Sequence, residues 1–235
     1  DSLRQALWIR DKLKLKPLLV CCTYPPDQVT ETGVKNLSNL IELGFDVIVT
    51  GPSPQTWKKL LKESFFQGNY LRSPELALYS SLPQIAIKFK IKLIFWGESP
   101  AIWWNDTKTM GVEPWDGNLL RNSNTLKNCD LKWMNKFIEN ENKKIPYEYP
   151  SKEDFKKNNI QIVYLSWFWS DWTLVSNARI ACAYGLKSRK DHVSNTGDLL
   201  GISALDDDWV TLNQMIKYYK FGFGRVTDYL NGEIR

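Results

Sequence analysis

Apolar residues recur at helical spacing at the front of the chain, at Leu3, Leu7, Ile9 and Leu13, and Gln5 stands three residues after Ser2. A serine followed three positions later by glutamine is the pattern of a capping box, so a helix is expected to open at residue 2. After Pro17 the run LLVCC (18–22) is short, apolar and rich in strand formers, and predicts a buried strand. Helical spacing returns at 33–43 through Val34, Leu37, Leu40 and Ile41, and again at 54–66 and 74–89. Between these stretches lie two further apolar runs, FDVIVTG (45–51) and IKLIFWGE (91–98). A helix standing before any strand, with no initiating methionine, is expected to have lost a segment upstream.

From Ile102 to Tyr149 the periodicity fades into Trp, Asn, Asp, Lys and Gly, which predicts a lid-like excursion over 102–150 with one helix around 130–140. The apolar run IQIVYLSWFW (160–169) then predicts a fourth strand, followed by a helix over 171–184 closed by Gly185 and a last helix over 209–219. Strand and helix alternate, with no repeat and no clear linker. The expected fold class is therefore α/β, a single domain over 1–235 with a parallel sheet flanked by helices on both faces. In such folds ligands bind beyond the carboxyl ends of the strands, which directs attention to CCTYPP, VTGPSP and WGESPA.

Composition changes this picture only in detail. At 43% hydrophobic and 24% charged, the 235 residues are ordinary for a globular protein and argue against disorder. The net charge of +5 is spread along the chain without a like-charged block, so an anionic small molecule is favoured over nucleic acid. The most apolar stretch, Leu76 to Trp96, is interrupted by Pro83, Lys88, Lys90 and Lys92, so no membrane span is expected, and no secretory signal precedes it. Cys21, Cys22, Cys129 and Cys182 form no C-x-x-C pair, and the first two lie in a strand. Cys21 and Cys22 read as packed thiols, which implies a reducing compartment, the cytoplasm. The single histidine, His192, lies in a polar loop and is a poor basis for a triad or a multi-histidine metal site.

Five constellations carry candidate chemistry. Asp1 and Ser2 stand at the N-terminus of the first helix, where free N–H groups and the helix dipole favour an anion, although a capped helix end serves equally well to bind water. In LIFWGESPA, Gly97 permits close backbone approach at a strand end and Glu98 places a carboxylate at the rim; a turn with a solvated glutamate fits the same residues. In YYKFGFGRVTD, Gly222 and Gly224 let the chain bend between Lys220 and Arg225, so that two cations can stabilise charge developing on a phosphate. The alternative is an aromatic turn whose basic residues face water, and the segment is no Walker loop. Finally, the tryptophans of WW (103–104) and WFWSDW (167–172) suit either stacking or core packing, and Asp206 and Asp208 of ALDDDW offer either magnesium ligands or a solvated helix start.

Taken together, the leading DS, TETGVKNLSNL (30–40), FWGESPA (95–101) and KYYKFGFGRVTD (217–228) resemble the N-acetyl sugar amidotransferase family, which is similar to the wider PP-loop ATP pyrophosphatases. The resemblance covers nearly the whole length, and KFGFGRVTD is its most specific piece. It implies an adenine nucleotide alpha hydrolase-like (PP-loop) fold, with Asp1 and Ser2 as the last two letters of the S-G-G-x-D-S loop and the rest of that loop upstream. The implied enzyme uses ATP and Mg2+ to adenylate the acetamido oxygen of a nucleotide-linked N-acetyl sugar, releasing pyrophosphate. Ammonia from a separate glutaminase subunit then displaces AMP and leaves an acetamidino sugar for surface glycan such as lipopolysaccharide. No plausible Cys-His glutaminase pair is present in this chain, in keeping with a separate ammonia source.

The resemblance places Asp1 and Ser2 at the pyrophosphate, Gly97 and Glu98 beside the nucleotide or the activated amide, and Lys220 and Arg225 on the phosphates. Glu98 is implied to orient magnesium or to deprotonate the incoming ammonium. The chain departs from the family in lacking the cysteine pairs that members carry ahead of the loop, so a zinc site is conceivable only through upstream residues. Two other readings use the same features: a PP-loop tRNA thiolase, and a non-catalytic protein that binds carbohydrate or nucleotide through its tryptophans.

Overall fold

The computed structural model describes residues 1–234 apart from 25–28, 99–106, 124–125, 127–128, 192–197 and 199. It is a mixed helix and strand structure with short paired strands and flanking helices. Residues 2–23 and 47–170 form one compact unit; Asp1, 24–46 and 171–235 form another.

In the first unit, α1 (Ser2–Asp11) begins where the sequence pattern starts it and buries Leu3, Ala6, Leu7 and Ile9. β1 (Leu18–Cys22) pairs with β2 (Asp46–Thr50) in a two-stranded sheet. α3 (Pro54–Phe66) has Ser53 before it and Pro54 in its first turn, where the missing N–H of proline costs nothing, and it buries Trp57, Leu60 and Ser64 at helical spacing. α4 (Arg72–Lys88) runs through Pro83, which cannot donate to the carbonyl of Tyr79. Nine of its seventeen residues are buried, and that packing offsets the break.

β3 (Leu93–Phe95) and β4 (Gln161–Val163) pair in parallel, with Ile94 opposite Ile162. The strand predicted over 160–169 is cut short because Leu165–Phe168 turns into a 3-10 helix. The other edge of β4 is covered by a 3-10 helix, Asp116–Asn122. Asn118 acts there as a substitute strand: its Nδ2 donates to the Ile160 carbonyl and its Oδ1 accepts from the Ile162 N–H, both at 2.9 Å. Gly117 allows this approach, since a Cβ there would lie 2.5 Å from Ile162 Cγ2.

Between Thr107 and Tyr149 the chain forms a four-residue helix, α5 (Thr107–Met110), and several 3-10 turns. These residues are anchored inward through Met110, Leu120, Leu126, Met134 and Tyr147, each no more than 1% exposed. The helix expected near 130–140 is the short 3-10 helix Lys132–Lys136. α6 (Lys152–Asn158) opens on a complete capping box between Ser151 and Asp154 and ends at Asn159 in the left-handed region.

In the second unit, Thr30 accepts from the Gly33 N–H and so starts α2 (Glu31–Glu42). Asn36 pairs with both backbone groups of Lys187, and Asn39 donates to the Tyr184 carbonyl, which holds α2 against the end of α7 (Leu174–Ala183). α8 (Trp209–Phe221) is followed by α9 (Arg225–Ile234), a helix the sequence pattern did not predict. Among the described residues, no helix is long and apolar enough to cross a membrane.

Candidate functional site

The front of α1 and the end of β3 meet at Gly97. A Cβ on Gly97 would stand 2.5 Å from Ser2 Oγ and 3.2 Å from Ser2 Cβ, so only glycine fits without displacing the serine. Gln5, 3% exposed, donates from Nε2 to the Gly97 carbonyl at 2.8 Å. Its Oε1 is buried with no hydrogen-bond partner among the described residues. An orphaned buried acceptor costs about 1–3 kcal/mol, and a ligand or water donor beside Gly97 removes that cost.

The capping box expected between Ser2 and Gln5 is therefore not formed. Gln5 instead satisfies a strand-end carbonyl that burial would otherwise leave without a donor, which outweighs a cap bond that water can replace. The sequence held a signal for this, since Gln5 stands four residues before the buried Ile9 on an inward face.

Glu98 follows at the rim and is exposed. Behind it, Trp96 stacks on Tyr79 with ring centroids 5.5 Å apart. Burial raises the Tyr79 phenol well above its ordinary range, and the charges of Glu75 and Glu98 add to that. Tyr79 is thus a neutral hydroxyl at any ordinary pH. Ser99, Pro100 and Ala101 of the FWGESPA segment lie outside the described residues, as do Trp103, Trp104 and His192.

Asp1 accepts a hydrogen bond at 2.6 Å from Nδ2 of Asn177, a fully buried residue of α7. Asn177 was not among the sequence candidates, although a polar residue four positions before the buried Ala181 marks an inward face.

Lys220 lies in the last turn of α8, with Nζ 5.3 Å from the Phe221 ring centroid, and Arg225 opens α9. Gly222 between them caps α8 at φ 75°, where its N–H bonds the Tyr218 carbonyl at 2.8 Å. The predicted bend exists, and it is the joint of a helix pair. Of the six residues singled out in the sequence, Ser2, Gly97 and Glu98 belong to one compact unit, and Asp1, Lys220 and Arg225 to the other. Direct packing joins Ser2 to Gly97.

The other candidates are absorbed by the fold. Trp169 meets Trp8 edge to face at 5.4 Å, and the Arg4 guanidinium lies 4.6 Å from the Trp169 ring centroid. Trp57, Trp96 and Trp209 are core residues. The three aspartates diverge: Asp208 accepts from Arg189 at 2.6 Å, while Asp207 is buried and accepts from the Val210 N–H at 2.9 Å. Burial, reinforced by the charge of Asp206, pushes Asp207 up to about 7. Among the described residues no cluster of three His, Cys, Asp or Glu side chains has metal-binding geometry. Cys21, Cys22 and Cys129 are half-buried thiols, and Cys182 is exposed.

A scan against protein-family models found no match to this chain, and a search of curated proteins found none at a significant level of similarity.

Proposed function

We propose that the protein is an ATP-dependent amidotransferase of the PP-loop type, acting on the acetamido group of a nucleotide-linked N-acetyl sugar. The observation that carries this reading is the seat of Gly97 on Ser2. It joins a helix N-terminus, a hydroxyl, a close-approaching backbone and a buried acceptor without a donor among the described residues, all beside an exposed carboxylate.

In this reading Ser2 and the first N–H groups of α1 bind the leaving pyrophosphate, and Gly97 lets the nucleotide approach the backbone. The acetamido oxygen attacks the α-phosphorus of ATP and the α–β phosphoanhydride bond breaks. Ammonia then adds to the activated carbon, AMP departs with the former amide oxygen, and a proton is lost to give the amidine. Glu98 takes a proton from the incoming ammonium. Magnesium accompanies ATP as a counter-charge to its phosphates, and a glutaminase partner supplies the ammonia. The resemblance further assigns Asp1 to the pyrophosphate and phosphate-neutralising roles to Lys220 and Arg225.

The test incubates the full-length protein with ATP, magnesium, ammonium and a panel of nucleotide-linked diacetamido sugars, and measures pyrophosphate. Release that requires the sugar, is abolished in Lys220→Ala and is followed by slowed amidination in Glu98→Gln supports the proposal. Release only with tRNA supports a thiolase, and none with any acceptor supports a binding protein; either result overturns it.

A further inference from the structure

A hollow of about 510 Å³ is lined by the 3-10 helix Asp116–Asn122, by α6 and by Ile160 and Gln161. This volume falls within the ~300–1,000 Å³ of small-molecule sites. The hollow lies at the start of β4, whereas Gly97 follows the end of β3. The two strands run parallel, so the hollow and the Ser2–Gly97 seat occupy opposite ends of the strand pair.

The chemistry of the walls is one-sided. Lys152, Phe155, Lys156 and Asn159 follow the i, i+3, i+4, i+7 pattern and present one face of α6 to the hollow. The acidic residues of that helix, Glu153 and Asp154, are not among the residues lining it, and Asp154 is committed to the capping box with Ser151. Arg121 enters from the opposite wall. Its guanidinium lies 4.9 Å from the Phe155 ring centroid and 5.4 Å from that of Tyr149, and one of its N–H groups donates to the Pro150 carbonyl at 3.2 Å. Those contacts hold in place a side chain that carries five donors in all. Among the described residues lining the hollow there are three cations, four side-chain amides and no carboxylate.

We propose that this hollow is a binding site for the phosphate group of a small organic phosphate, a phosphomonoester or diphosphate, separate from the Ser2–Gly97 seat. Arg121 supplies a planar pair of donors, and Lys152 and Lys156 close on the anion as mobile point charges. The amides of Asn122 and Asn159 hydrogen-bond the ester body. A guanidinium already held against two aromatic rings and a backbone carbonyl loses little entropy on binding, which favours phosphate over a diffuse cloud of counterions.

Isothermal titration with inorganic phosphate and with glucose 1-phosphate at low ionic strength tests the proposal. The full chain is compared with K152Q/K156Q and with the control K157Q, whose lysine lies on α6 but does not line the hollow. Lys152 and Lys156 are exposed, so the double variant keeps its melting temperature. The expected result is binding weakened tenfold or more in K152Q/K156Q and changed less than twofold in K157Q, with side-chain amide resonances of Asn122 and Asn159 shifting only in the parent and control. Equal weakening in K157Q shows a merely diffuse positive field and overturns the site. So does unaltered binding in K152Q/K156Q, or no binding of either probe by the parent.

Discussion

Asp207→Asn is the substitution whose effect follows most directly from the structure. Asp207 is 1% exposed, its Oδ1 accepts the Val210 N–H, and its carboxyl is raised from its ordinary 3.8 to about 7. Burial is the main cause. Asp206 and then Asp208 add to it, while the Val210 N–H and the Arg189 guanidinium act in the opposite direction. Between pH 3.8 and 7 the folded chain holds a proton here that the unfolded chain has released. Unfolding therefore sheds a proton in that window, and stability falls as pH rises through it, by at most about 1.4 kcal/mol per pH unit, before levelling above pH 7. Integrated over the window, the ionised carboxylate costs up to about 4 kcal/mol at pH 8. Asparagine preserves the acceptor for Val210 and never ionises. Urea unfolding at intervals from pH 4 to 8.5 is expected to give equal stabilities at the acid end and a variant more stable by a few kcal/mol at pH 8. Taking the difference between variant and parent removes the titration of groups that do not interact with Asp207. Parallel pH profiles for the two proteins, or a variant less stable at pH 8, refute the reasoning.

Gly97→Ala is expected to cost about 1–3 kcal/mol, because the new methyl meets Ser2 Oγ at 2.5 Å. Adding Ser2→Ala should recover part of that loss in thermal melts, since the 3.2 Å contact with Cβ remains. Asn118→Ala removes both side-chain bonds to the edge of β4 and should lower stability by about 1–3 kcal/mol, with the Ile162 amide losing hydrogen-exchange protection; an unchanged exchange rate contradicts the edge-covering role.

The helices with one apolar stripe were legible in the sequence: α3 spans 54–66 as predicted, and α1, α2, α4 and α7 begin or end within a few residues of expectation. Their burial is written locally, in residues three and four apart. The strands were legible as apolar runs: β1 spans 18–22 as predicted, while β2, β3 and β4 came out shorter than their runs. The run at 160–169 stops at Val163 because Tyr164 donates its N–H to the Pro114 carbonyl, fifty residues earlier in the chain, and a 3-10 turn follows. α9 was missed because the glycines around Phe223 read as a loop, although Gly222 serves as the left-handed cap from which a second helix starts.

For the candidate site the division is similar. Gly97, Glu98 and Ser2 stood out as types of residue at the right ends of elements, yet Gln5 and Asn177 carry the observed hydrogen bonds to Gly97 and Asp1. Local periodicity determined which stretches coil and which face turns inward, because neighbouring side chains three or four positions apart share one environment. Only the tertiary structure decided that Ser2 lies against Gly97, that Asn118 stands in for a strand, and that Asp207 is sealed from water. Those contacts join residues tens of positions apart, and no local pattern specifies which distant partner will supply the missing donor.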